Sequence, residues 1–483
     1  FTFRIVGIDF GLKLVNQKAG NILTFSRLFH LNHGFSVPNA IKIDGGDTGA
    51  PLFLTPYIER GNITEGRRLA RVPFTESLGF KSYAGYFTVN KEYDSNQFFW
   101  YFPAIVPNKD APVIVWLQGG PGATSLFGLF TENGPLRVHN GKFEKRKYNW
   151  ALGHHVIYID NPVGTGFSFT KNPKGYCTNQ TQVGQDLYST ITQFFQLFPE
   201  LQKNKFFITG ESYAGKYVPA FAYTIYKNNP AAKVKINLKA IAIGNGLSDP
   251  EHQLVYSKYL YQIGLLDWNQ AKVFADSESK VVELIKNKQW LQAFKSFDSL
   301  LNGDLINGKS MFYNMTGFEF YFNFLHTKDY FKKEDFGPMI QKSYVRKAIH
   351  VGNLSFHDGS IVEENLKEDV MQSVAPWISE LLDHYYVLVY NGQLDIIVAY
   401  PNTLNYLRNL NFTGADDYKT AKRYHWLVDN ELAGYVKQGG KLVEIMVRDA
   451  GHMVPGDQPK WALDMITRLT HEKTFTNKKY VTF

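Results

Sequence analysis

The chain has 483 residues, a formal charge of +8, 44% hydrophobic and 20% charged residues, and 16% aromatics. That balance excludes a disordered chain, a coiled coil and a collagen, and the length suits one large α/β domain with insertions or about three domains. A single cysteine, Cys177, excludes an intrachain disulfide and any multi-thiolate metal site.

Residues 1–45 start from Phe1 with a roughly alternating stretch to Val15, then read as polar loop, and receive no function. The end is read as processed or incomplete, since neither Met nor a charged-then-apolar leader opens it. Two strands follow, Tyr83 to Val89 and Phe98 to Phe102, and the polar turn Glu92 to Asn96 between them predicts a hairpin. Short apolar runs come next, at Val113–Leu117, His155–Ile159, Phe206–Thr209, Ala240–Ile243, Tyr386–Tyr390 and Val443–Val447. Each meets a Gly, Asp or Asn within two residues of its end, and helical patterns such as Val183–Phe198 and Lys216–Lys227 lie between. Alternating strand and helix predict a mostly parallel sheet with helices on both faces. From Leu247 to Pro338 the strand signal stops, and Lys280 to Leu300 has the spacing of one amphipathic helix. The expected organisation is an extension over 1–45, a first core part over 46–246, a helical insertion over 247–338, and a second core part over 339–483.

Gly210-Glu211-Ser212-Tyr213-Ala214 ends the run Phe206–Thr209 and opens a helical stretch. A strand-to-helix turn of this kind projects a serine hydroxyl from the sheet; an ordinary turn serine is the other reading. A serine needs a base and an orienting acid. Asp395 and His452 follow the last two predicted strands, in the order Ser, Asp, His, where parallel sheets build their sites. Gln118-Gly119-Gly120-Pro121-Gly122 also follows a strand, and its backbone suits an oxyanion hole made by the N–H groups of Gly120 and Tyr213; a plain glycine turn is the alternative. No Lys-Ser or Lys-Thr follows the glycines, so this is not a phosphate loop.

Gly210 to Pro219, Trp116 to Gly122, Asp160 to Ser168 and Gly451-His452-Met453-Val454-Pro455 resemble the serine carboxypeptidase family. The version Leu117-Gln118 and the stretch Tyr390 to Asp395 look most like its vitellogenic-like branch, with insect venom members. The resemblance runs from about Gly46 to the end. It implies an α/β-hydrolase core with a helical insertion, with Ser212 as nucleophile, His452 as general base and then acid, and Asp395 as orienter. It implies the oxyanion pair Gly120 and Tyr213, and a substrate-carboxylate site at Gln118, Gly119, Glu132 and Glu211. Met453 would line the leaving-residue pocket. No cofactor or metal is implied.

A free carboxylate beside two glutamates requires a shared proton, so an acidic optimum is expected. The expected function is removal of C-terminal residues from peptides or proteins through an acyl-enzyme. An acyltransferase or esterase on the same triad, and an idle storage or binding protein, are the alternatives. Family acyltransferases tend to carry Asp where Glu211 stands. The sequence departs from the family at Gln118 (usually Asn), Ala123 (usually Cys in a disulfide) and Gln393 (usually Asp). These changes bear on pocket geometry and redox stability, not on the triad.

Basic residues are scattered, with the densest cluster at Lys145-Arg146-Lys147, so nucleic acid is not an expected partner. No apolar run of about 18 residues predicts a membrane span. Asn62, Asn179, Asn314, Asn353 and Asn411 head glycosylation triplets, which lean towards a secreted or lysosomal protein. A homodimer stays open, and Cys177 is expected to be a free thiol.

Overall fold

The computed structural model describes residues 43–303, 305, 309–330 and 335–476. The alternating stretch after Phe1 lies outside these residues. The main sheet has ten strands. They are β1 (Tyr83–Asn90), β2 (Ser95–Phe102), β3 (Val113–Leu117), β4 (His155–Ile159), β5 (Phe206–Glu211), β6 (Leu238–Gly244), β7 (Tyr386–Gly392), β8 (Arg423–Val428), β9 (Glu431–Gly439) and β10 (Leu442–Val447). Their spatial order is β1-β2-β4-β3-β5-β6-β7-β10-β9-β8. The six from β4 to β10 in that order run parallel, and antiparallel pairs close both edges.

Composition explains the split. β3, β5 and β10 are buried at every position, as strands covered on both faces must be. β8 instead alternates, with Arg423, His425 and Leu427 exposed, which suits an edge. Every strand predicted within the described residues is present. β8 and β9 were not predicted, because their charged, half-exposed sequences lack the apolar run.

Helix α1 (Gln180–Leu197) starts where the Asn179 side chain accepts a hydrogen bond from the Gln182 N–H at 3.0 Å. It packs on α2 (Ala214–Asn228), which lies against β5 and β6. Among the described residues of 247–338 there are helices and loops but no strand. The single helix expected over 280–300 is instead two: α3 (Trp268–Lys286) and α4 (Trp290–Leu301). The break falls at Lys288, whose φ of +56° cannot continue a right-handed helix. The apolar phase survives because α3 and α4 pack side by side, burying Val281, Ile285, Phe294 and Phe297.

Candidate active site

β5 runs into Ser212, and α2 begins two residues later. Ser212 has a φ of +65°, a left-handed conformation uncommon outside glycine. Neighbouring backbone holds it there. Its N–H donates to the Gly244 carbonyl at 3.0 Å, and its carbonyl accepts from Gly215 at 2.9 Å and Leu247 at 3.0 Å. Strand and helix cross so closely that a Cβ on Gly210 would sit 2.6 Å from the Leu117 carbonyl oxygen and 2.8 Å from the Ala214 Cβ. Position 210 is therefore confined to glycine, with the Ala214 methyl packed at the crossing.

The glycine-rich turn after β3 lies against this one. A Cβ on Gly119 would stand 2.5 Å from the Tyr213 nitrogen and 2.7 Å from the Ser212 Cβ. Gly120 has a φ of +109°, which favours glycine. The Gly119–Gly120 backbone and the Tyr213 N–H thus share one small space beside Ser212. Tyr213 is tied down by its ring: its hydroxyl donates to Asp369 at 2.9 Å, and Asp369 also pairs with the buried Lys216 at 2.8 Å.

Asp395 follows β7 and His452 follows β10, and β7 and β10 are neighbours. The His452 Nδ1 meets Asp395 Oδ2 at 2.7 Å. Asp395 is fully buried and takes three further donors: Asn245 Nδ2 at 2.7 Å, the Ile397 N–H at 3.1 Å and the Val398 N–H at 3.3 Å. With Nδ1 committed to the carboxylate, Nε2 is the basic nitrogen. It is buried and has no hydrogen-bond partner, so the Asp–His bond is made and a Ser212–His452 bond is not. Catalytic hydrogen bonds are commonly long before substrate binds.

Two supports were not predicted from sequence. Asn245, directly after β6, links Ser212's strand neighbour to Asp395, and its Oδ1 accepts from the Gly392 N–H at 3.2 Å. Its position just past a predicted strand was the available signal. Tyr321 to Phe324 forms the other. The Tyr321 carbonyl accepts from Ile396 and Ile397 at 3.2 and 3.1 Å, Phe324 donates to Leu394 at 2.9 Å, and the Phe322 carbonyl accepts from His452 at 2.7 Å. One short segment thus spans the loops of both Asp395 and His452. Its aromatic sequence carries no catalytic signal, because the contacts are made by backbone.

Glu132 and Glu211 are both fully buried. Glu132 ends a π-helical turn, Gly128–Glu132, whose Gly128 sits on the Trp116 indole. Glu211 ends β5. The Gln118 Nε2 donates to Glu211 Oε1 at 2.8 Å, and the Trp116 indole N–H holds Gln118 Oε1 at 2.9 Å. The two carboxyl groups lie close enough to share a proton. Written as carboxylates, Glu132 Oε1 and Oε2 and Glu211 Oε2 have no donor. Burial pushes Glu132 up to about 7, and burial together with the charge of Glu132 holds Glu211 well above the ordinary glutamate range. A neutral carboxyl donor is therefore available below neutral pH.

Met453 is buried beside His452. Asn62, Asn314, Asn353 and Asn411 are exposed; Asn179 is half-buried and caps α1. Cys177 is buried, its Sγ 3.4 Å from Asp186 Oδ2, and burial raises its thiol well above the usual range. No helix among the described residues is long and apolar enough to cross a membrane.

The peptidase S10 family model, described as serine carboxypeptidase, matches residues 73–472. The chain is 57% identical over 432 residues to a venom serine carboxypeptidase of Apis mellifera, covering 89% of this chain and 92% of that protein. It is 50% identical over 433 residues to a probable serine carboxypeptidase of Homo sapiens, covering 89% and 91%. It is 49% identical over 432 residues to a vitellogenic carboxypeptidase of Aedes aegypti, covering 88% and 91%. In fold it is similar to the prohormone-processing carboxypeptidase Kex1Δp of Saccharomyces cerevisiae, with a TM-score of 0.67, 23% identity, and coverage of 83% and 94%. The fold is that of an α/β hydrolase.

Proposed function

The chain belongs to the serine carboxypeptidase family, and from that premise we propose that Ser212, His452 and Asp395 carry its hydrolysis of peptide C-termini. Ser212 Oγ attacks the scissile carbonyl while His452 Nε2 takes its proton. Asp395 holds the ring through Nδ1 and stabilises the imidazolium. The N–H groups of Gly120 and Tyr213 take the oxyanion. His452 returns its proton to the leaving amine, and water then opens the acyl-enzyme with His452 as base. Met453, next to the base, lines the space for the leaving residue.

The observation that carries the exopeptidase assignment to this geometry is the buried pair Glu132–Glu211 with donorless oxygens beside Ser212. With Gln118 and the Gly119 backbone, a protonated pair receives the substrate's terminal carboxylate. The sign of the pH dependence follows. Glu132 keeps its proton up to about 7 and Glu211 holds one to higher pH, while the substrate carboxylate stays ionised above about 4. Free-acid binding is therefore strongest in acid and weakens through neutrality. That requirement and the exposed Asn62, Asn314, Asn353 and Asn411 favour an acidic, secretory-route setting. Residues 247–338 act as an insertion between the two core parts, 46–246 and 339–483.

A blocked dipeptide with a free C-terminus, compared with its amide from acid to neutral pH, tests this. Preference for the free acid, strongest in acid and absent in Ser212→Ala, is expected. Equal, Ser212-dependent cleavage of both would point to an esterase or amidase. No turnover by the intact chain would return the idle scaffold.

A further inference from the structure

We infer that Tyr390 is a third member of the Glu132–Glu211 pair, its hydroxyl donating to the pair once the shared proton has left. The inference rests on the reading of that pair as the substrate-carboxylate site. It starts from register. Tyr390 on β7 stands opposite Gly244 on β6, and Gly244 stands opposite Glu211 on β5. In-register residues of parallel strands point to the same face. The middle residue has no side chain, and the Tyr390 ring occupies its place: a Cβ on Gly244 would collide with the ring and with the hydroxyl itself. The phenol therefore reaches across one strand towards Glu211. Its hydroxyl is fully buried and has no hydrogen-bond partner, as does Glu211 Oε2.

Such a hydroxyl is costly unless it serves some state of the site. A phenol can donate to a carboxylate, and that bond favours the ionised pair. Burial, and after it the charges of Glu211 and Glu132, raise the Tyr390 phenol, so it stays protonated as a donor. The other groups acting on the pair are Gln118, which hydrogen-bonds it, Arg146 and Tyr158 beside Glu132, Asp457 near Glu132 and Asp395 near Glu211. Asp457 and Asp395 favour retention of the proton, and Arg146 opposes it. Tyr390 adds to the Arg146 side. It is a positioning residue that sets where on the pH scale the carboxylate site fails.

The test is KM for the free-acid dipeptide across about pH 4 to 9. In Tyr390→Phe the rise of KM with pH is expected about one unit more alkaline, or about a tenfold lower KM on the rising limb. A 3-fluorotyrosine at 390, a stronger donor, should move the rise in the acid direction. Opposite shifts are not produced by a ring that only fills space. An unmoved midpoint, or an acid shift in Tyr390→Phe, overturns the inference. A wild-type KM that is flat with pH, unaltered by Glu132→Gln, instead overturns the carboxylate-site reading, and the Tyr390 inference with it.

Discussion

Two buried acidic centres flank the same serine, and they are treated in opposite ways. Asp395 is surrounded by four donors, two from side chains and two from the backbone. The Glu132–Glu211 pair receives one, from Gln118, and three oxygens go without. Burial is equal; the supply of donors is not. A carboxylate that must steady an imidazolium needs its charge met by fixed dipoles. A carboxyl that must lend a hydrogen bond needs its charge made costly. Neither task is written in the residue type. In the proposed reading the surroundings assign it, as in other enzymes that run acid and base roles with two carboxyl groups.

The sharpest break is Asp395→Asn. It keeps the shape and reverses the hydrogen-bond sense at Nδ1, so kcat should fall by about ten-thousand-fold with KM little changed, read from steady-state kinetics. Glu132→Gln acts on the other centre. KM for free acids should rise by about ten- to a hundred-fold and lose its pH dependence, with amide turnover preserved. If both variants lowered kcat alike, the contrast would collapse. Asn245→Ala removes one donor from Asp395, and a drop in kcat of about tenfold, with no change in pH dependence of KM, is expected.

The smallest effect is on stability. The folded pair keeps a proton that unfolded glutamates release near 4.5. The native state thus binds more protons from that value up to about 7, where Glu132 ionises, and beyond it through Glu211, so stability falls as pH rises through this range. Calorimetry should give a Tm lower by about 2 °C or more at pH 8 than at pH 5, and Glu132→Gln should flatten the difference.

Much of the fold was legible because parallel strands buried on both faces leave continuous apolar runs, as at Val113–Leu117. The edge was not, because Arg423 to Val428 alternates with solvent. The break at Lys288 was missed because two helices packed side by side keep one apolar phase. In the site, Ser212, Asp395 and His452 stood out by order and by place after strands. Asn245 and Tyr321 to Phe324 did not. A lone asparagine after a strand is common, and a segment that works through carbonyls and N–H groups leaves no mark in side-chain identity. The roles proposed for Glu132 and Glu211 rest on family resemblance, since residues 79 apart have no local pattern.

Tyr321 to Phe324 also limits how this molecule can be taken apart. The segment is covalently continuous with the helices of the 247–338 stretch, yet its hydrogen bonds belong to the acid and base loops. A chimera that exchanged the whole stretch for a relative's would replace part of the catalytic frame along with the cap. The exchangeable module begins after Tyr259, whose hydroxyl donates to the Asp395 carbonyl as that of Tyr256 does to the Ile397 carbonyl, and ends before Phe320; a graft within those limits should keep turnover, whereas one cut after Leu325 should change it even with every triad residue in place.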